Sequence, residues 1–199
     1  PQEQKELLKA INNPEDLNAG KRNIPFGREI FIERDDFIEN PPKKFFRLGI
    51  GREVRLRYAY FIKCVDVVKD KNGNILKIKC TYDPETLGGK APDGRRVKGV
   101  IHWVDCDESI DAEVRLYDRL FSLENPNKKE NFLDGLNENS CVVKEDAKLE
   151  ISMENPQDKT YQFERNGYFK MDKKYSNKEK NVFIRTVSLR DSWAKLKNK

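Results

Sequence analysis

Histidine is almost missing: the 199 residues hold one, His102. That excludes any mechanism needing two imidazoles from this chain, whether a His-x-x-x-His zinc site or a paired-histidine nucleotide motif. Cysteine is scarce too, and Cys64, Cys80, Cys106 and Cys141 form no Cys-x-x-Cys pair, so structural zinc is not expected and the thiols read as small residues kept reduced. No apolar run approaches the ~20 residues that cross a bilayer, and residues 1–9 are charged rather than signal-like, which makes a cytoplasmic location the expectation. Long amphipathic helices and low-complexity tracts are absent. What is present is charge, 37% of residues against 37% hydrophobic, together with 11 Phe, 7 Tyr and 2 Trp. Such a chain has enough rings to fold around modest cores. At 23.3 kDa it has room for one large domain or two small ones, not for a multidomain enzyme.

Period-two alternation dominates the pattern. Residues 2–11 look like a short helix stopped by Asn12-Asn13-Pro14. Residues 29–33 read as a strand, and Pro41-Pro42 as a break. Residues 54–62 read as one strand, with Val54, Leu56, Tyr58, Tyr60 and Ile62 on one face and Arg55, Arg57, Ala59, Phe61 and Lys63 on the other. Asn72-Gly73 between residues 65–68 and 75–82 predicts a hairpin, because both turn residues tolerate positive φ. Further strands are predicted at 97–104, 114–121, 161–171 and 182–189, with a short helical candidate at 131–136. Many short strands point to barrels or sandwiches rather than a βαβ core.

The net charge of +5 is unevenly placed. Between positions 43 and 63 stand Lys43, Lys44, Arg47, Arg52, Arg55, Arg57 and Lys63 against Glu53 alone, a local +6 that leaves the remainder near −1. Guanidinium groups beside Phe45, Phe46 and Phe61 suit single-stranded nucleic acid, since Arg pairs with phosphates or base edges and a ring offers a face to an unstacked base. The plainer alternative is that the arginines neutralise acidic neighbours while the rings fill a core. Gly49-Ile50-Gly51 is no dinucleotide fingerprint, because Val54 stands where the next glycine belongs and a strand follows. Asp35, Asp36, Asp105, Asp107 and Asp111 could supply carboxylate pairs for a metal or hydrolysis, but fall in turn-like segments where Asp serves the backbone. His102 reads as half-buried and structural, and Ser188 and Ser192 lack an imidazole partner. The loop 172–180, with Lys173, Lys174, Lys178 and Lys180, reads as solvated.

Several segments carry a resemblance. Lys21-Arg22-Asn23-Ile24-Pro25-Phe26, Pro41-Pro42-Lys43-Lys44-Phe45-Phe46-Arg47-Leu48, Gly51-Arg52-Glu53-Val54-Arg55-Leu56-Arg57-Tyr58-Ala59-Tyr60, Cys80-Thr81-Tyr82-Asp83, the run from Asp93 to Val104, Glu113 to Phe121, Tyr161 to Phe169 and Leu189 to Lys195 resemble, in order, the carboxy-terminal anticodon-binding region of glutaminyl-tRNA synthetases. The resemblance implies an all-β fold of two six-stranded β-barrels, akin to a 5S rRNA-binding ribosomal protein. A distal barrel would span 30–109, and a proximal one 1–29 with 110–199. It implies an unstacked anticodon loop read by Arg55 at the first base, Arg57 on the nearby backbone, Gln162 at the middle uracil, and Arg47 at a third-position guanine, with Arg165 also among the anticodon-binding residues. Lys44, Phe45 and Phe46 would flank the middle base, with Phe46 where some members carry lysine. The chemistry agrees, because Arg pairs bidentately with guanine and a Gln amide offers donor and acceptor to uracil.

The same resemblance implies a partner, the tRNA for glutamine, and an upstream catalytic domain of the same polypeptide that binds ATP. This stretch would have no catalytic residue, metal or cofactor of its own, and would work as a monomer away from membranes. Three rivals remain: the same region of a eukaryotic or archaeal-type glutamyl-tRNA synthetase, a non-catalytic rRNA-binding barrel, and a hydrolase built on the aspartates.

Overall fold

A computed structural model of the chain describes residues 5–125, 128 and 130–189; Ser192 and most of the last resembling segment lie outside them. The chain divides into two units between Glu108 and Ser109. Every regular element among the described residues is a strand or a single 3-10 turn, so the all-β expectation holds.

In the first unit, β1 (Glu6–Ile11) pairs antiparallel with β2 (Lys21–Phe26). The helix expected at 2–11 is therefore a strand over its described part. Alternation explains the change: Leu8 and Ala10 are buried, Leu7 and Lys9 are exposed, and pairing with β2 overrides local helix propensity. β3 (Ile30–Ile32) pairs with β8 (Trp103–Asp105). The remaining strands, β4 (Glu53–Leu56), β5 (Phe61–Lys69), β6 (Ile75–Asp83) and β7 (Val100–Ile101), form one sheet in the order β6-β5-β4-β7, with β4 and β7 parallel.

The strand expected at 54–62 is broken. Leu56 N–H bonds Tyr60 O at 2.9 Å and Ala59 N–H bonds Leu56 O at 3.0 Å, closing a tight turn with Tyr58 at φ 63°. A turn lets neighbours bury together, so Ala59, Tyr60 and Phe61 are all buried where strict alternation would have exposed two of them. The Asn72-Gly73 hairpin forms as expected, with Gly73 at φ 84°. Asp70 braces it, its Oδ1 accepting the N–H groups of Asn72 and Asn74 at 2.8 Å.

In the second unit, β9 (Ile110–Tyr117), β10 (Cys141–Leu149), β11 (Thr160–Phe163), β12 (Gly167–Met171) and β13 (Asn181–Val187) form a five-stranded sheet ordered β10-β9-β13-β12-β11. The strand expected at 161–171 is in fact the hairpin of β11 and β12, turned at Arg165, whose φ is 64°. β10 had no counterpart in the sequence reading; Lys144, Glu145 and Asp146 hide its alternation, and the register shifts between Lys144 and Ala147. The helical candidate at 131–136 is a 3-10 turn, Phe132–Gly135.

Each unit has its own core. Leu8, Ile24, Phe37, Leu48, Leu56, Ile101 and Trp103 fill the first, and Val114, Leu149, Phe169 and Phe183 the second, where Phe163 stacks on Phe169 at 4.3 Å. This differs from the expected boundary: β1 and β2 contribute Leu8, Ala10 and Ile24 to the core shared with β4 and β5, whereas residues 1–29 were expected with the second unit. Among the described residues the ladders do not run into closed rings. Between β3 and β6 lies a groove of about 800 Å³, across which Lys77 pairs with Glu29 at 2.8 Å.

Candidate nucleic-acid interface

The first unit carries Lys44, Phe45, Phe46, Arg47, Arg55 and Arg57. The loop bearing the first four is fastened from below by Arg52, whose Nη1 donates to Phe45 O at 2.6 Å and Nη2 to Pro41 O at 3.0 Å and Pro42 O at 3.2 Å. A guanidinium fork suits this task because it offers several fixed donors at once. Lys44 is exposed and Phe45 half-buried, while Phe46 is 54% exposed with Lys98 Nζ 5.3 Å from its ring centre. Arg47 is only partly committed: its Nη1 pairs with Asp36 Oδ1 at 2.9 Å and donates to Asp35 O at 3.2 Å. The Asp36 side chain is fully buried. Arg47 is thus held at one nitrogen, and the N–H groups of Nε and Nη2 remain for a ligand.

Arg55 lies on β4, its N–H bonded to Gly99 O at 2.9 Å. Gly89, at φ 89°, lies against it, and a Cβ there would collide with Arg55 Cδ and Nη1. Arg57 sits past the strand end rather than in mid-strand; its N–H still reaches Ile101 O at 3.0 Å, its carbonyl accepts Trp103 Nε1 at 3.0 Å, and its guanidinium lies 5.1 Å from the Tyr58 ring centre.

What happens to the nearby carboxylates decides the charge of this surface. Arg95 captures them: its Nε and Nη2 donate to Glu53 at 3.0 and 3.1 Å, Nη2 also reaches Asp83 at 2.5 Å, and Nη1 reaches Asp93 at 2.8 Å. These partners raise the Arg95 guanidinium further above its ordinary value, Glu53 first. Asp83 is held below the usual carboxylate range by its bond to Arg95, and Asp93 chiefly by the backbone N–H of Arg95. The one acid inside the basic segment is therefore neutralised from outside it. Among the described residues Lys44 and Arg55 have no carboxylate partner, so the plainer reading, in which acidic neighbours quench the arginines, fails for Arg55.

The second unit carries Gln162 and Arg165. Gln162 stands directly opposite Tyr168 on the β11–β12 ladder; both are exposed, while Phe163 and Phe169 pack into the core. The Gln162 amide makes no hydrogen bond among the described residues, so its donor and acceptor are open to a ligand. Arg165 occupies the turn that joins the two strands.

The other candidates are structural. Asp105 Oδ1 caps the N–H groups of Asp107 and Glu108 at 3.0 Å, Asp107 and Asp111 pair with Lys5 and Lys148, and His102 is half-buried between Ile101 and Trp103. Cys64 and Cys80 are opposite each other on β5 and β6, both free; Cys64 is buried, which raises its thiol, while Cys80 is exposed. No group of His, Cys, Asp and Glu among the described residues is arranged to hold a metal, and no helix there is long and apolar enough to cross a membrane.

Comparison with known proteins gives this geometry its context. Residues 1–83 and residues 100–172 each match a family described as "tRNA synthetases class I (E and Q), anti-codon binding domain". The chain belongs to this anticodon-binding family. It is 52% identical over 196 residues to a protein named glutamine–tRNA ligase from Bradyrhizobium diazoefficiens, a match covering 98% of the chain and 35% of that relative. Proteins of the same name from Clostridium kluyveri and Vibrio parahaemolyticus are 47% and 52% identical, over 100% and 97% of the chain and 36% and 35% of their own lengths. The chain thus spans about a third of the relatives it matches.

Within the anticodon-binding chain, sequence reasoning missed the residues that hold Arg47 and its loop. Asp36 was filed among turn aspartates and Arg52 only counted as charge, yet one anchors Arg47 and the other fastens the loop before it. Arg95 and Gly89 lie far from the basic segment in sequence, so only the fold connects them to it.

Proposed function

We propose that the chain reads the anticodon of a glutamine tRNA, as the anticodon-binding part of a class I glutamine–tRNA ligase. The observation that carries this is a cationic, ring-bearing surface on the first unit whose Arg55 has no carboxylate to neutralise it, in a chain about half identical to proteins named glutamine–tRNA ligase. On this reading the first unit is the distal module and the second the proximal one. Arg55 serves the first base with Arg57 on the nearby backbone, Gln162 the middle uracil, and Arg47 a third-position guanine through its uncommitted N–H groups, with Arg165 also in contact with the anticodon. Phe46 supplies stacking beside Lys44 and Phe45. Attachment of glutamine, with its ATP, belongs to a catalytic domain of the parent, a cytoplasmic monomer, and this chain performs no chemical step.

Binding of the chain to anticodon stem-loops of the glutamine and glutamate acceptors tests the reading. The glutamine loop should bind more tightly. Arg47→Ala should weaken it by roughly 1–3 kcal/mol and relax discrimination at the guanine. Failure to bind either stem-loop overturns the assignment, and equal losses for every third base would place Arg47 on phosphate instead.

A further inference from the structure

The loop joining β12 to β13 is more than a solvated lysine run. Its backbone is closed by Asp172 N–H to Val182 O at 2.8 Å and Ser176 N–H to Asp172 O at 2.9 Å. Val182 N–H donates to Ser176 Oγ at 2.9 Å, and Asn177 Oδ1 caps Glu179 and Lys180 at 2.9 Å. On this ordered loop Tyr175 is 47% exposed, with the Arg115 guanidinium carbon 4.0 Å from its ring centre. Arg115 is itself held: the buried Glu113 accepts from Arg115 Nε and from Lys180 Nζ, each at 2.5 Å.

The surrounding charge is positive. Lys170, Lys173, Lys174, Lys178, Lys180 and Arg115 stand against Glu113, Asp158, Asp172 and Glu179. Asp158 takes both Lys170 and Lys173, as Glu113 takes both Arg115 and Lys180, so each cluster keeps a net positive charge. Lys174 and Lys178 have no carboxylate partner among the described residues.

We propose that this loop, with Tyr175 stacked on Arg115, is a second RNA-contacting surface that engages phosphates outside the anticodon loop. It rests on the tRNA reading above. Exposed lysines are depleted at protein interfaces but suit a phosphate backbone, and a tyrosine ring braced on one face offers the other to a ribose or base. Pre-ordering removes much of the entropic cost that a free loop incurs on binding. Position separates this surface from the anticodon readers: Arg165 is at one end of β12 and the loop leaves from the other. Five residues of strand span about 16 Å, several nucleotides along a strand.

The test compares the anticodon stem-loop of glutamine tRNA with an unpaired oligonucleotide of its anticodon-loop sequence, using the 199-residue chain and its K174E/K178E variant. The stem-loop should bind the variant about tenfold more weakly with a shallower salt dependence, by roughly 1 to 2 in log–log slope, while affinity for the unpaired oligonucleotide stays the same. Y175A should lower stem-loop affinity alone in the same way. If the glutamates prevent folding, judged by circular dichroism, K174A/K178A replaces them with the same expectation. Unchanged affinity for the stem-loop overturns the proposal and leaves the loop to a protein partner. Equal losses on both RNAs overturn it too, by placing the effect at the anticodon. If the unsubstituted chain binds the unpaired oligonucleotide well and the stem-loop no better, the second surface is absent while the anticodon reading stands; if it binds neither, both fall.

Discussion

A residue that touches no ligand can decide how well another reads one. Asp36 is fully buried and pairs with Arg47 at 2.9 Å, while the Arg47 side chain is 30% exposed. An ion pair with one end in the core and one at the surface fixes a direction more than it adds net stability, because desolvation offsets much of the attraction. Asp36→Asn preserves shape and removes the charge. We expect a stability loss of about 1–3 kcal/mol, as for other hydrogen bonds to charged groups, measured by urea denaturation. Relaxed discrimination at the third anticodon base should accompany it, with less effect on overall affinity. Undiminished discrimination would mean that Asp35 O and packing alone orient Arg47. The sequence showed Arg47 but not its holder, since a carboxylate beside another in a turn-like segment looks the same whether it caps backbone or receives a guanidinium from eleven positions away.

At the scale of elements, the hydrophobic pattern was readable where strands are uniform and misleading where the chain turns inside an apolar stretch. Asn72-Gly73 announced its hairpin through turn chemistry. Tyr58 and Arg165 announced nothing, because non-glycine residues at positive φ leave no compositional mark; residues 54–62 and 161–171 therefore read as single strands. β1 was hidden for another reason: a short segment rich in Leu, Lys and Glu favours helix until a partner strand and a core are supplied. One tie that supplies them is the Tyr60 hydroxyl, which donates to Glu6 Oε2 at 2.5 Å and so fastens β1 beside the start of β5. Burial, and then the bond to Glu6, raise the Tyr60 hydroxyl from 10.0 to about 12. A group whose folded value is raised adds stability below its unfolded value and loses it as pH climbs through the folded one. Tyr60→Phe should therefore cost roughly 1–2 kcal/mol near neutrality, and the gap from the unsubstituted chain should close between pH 10 and pH 12. Denaturation at several pH values checks this; a gap constant to pH 12 would show that the hydroxyl does not titrate with unfolding.

For the whole molecule, the net charge of +5 on 199 residues is a weak statement about binding, and its placement is a strong one. The segment from 43 to 63 holds a local +6, and its only acid, Glu53, is taken by Arg95 from outside the segment. Arg52 is spent on carbonyls and Arg47 is partly spent on Asp36, so the cations open to phosphate are fewer than the count suggests. If about five phosphates are neutralised, each contributing a slope near −0.7 on unpaired RNA, log K for the anticodon stem-loop should fall with log salt at roughly −3 to −4. Arg55→Ala should reduce the steepness by up to about 0.7 if Arg55 meets phosphate. If Arg55 meets a base edge instead, the slope should stay and selectivity at the first base should fall. Titration at several salt concentrations with loops varied at that base separates these roles. A slope near zero for the unsubstituted chain would show that the basic segment is not the footprint at all.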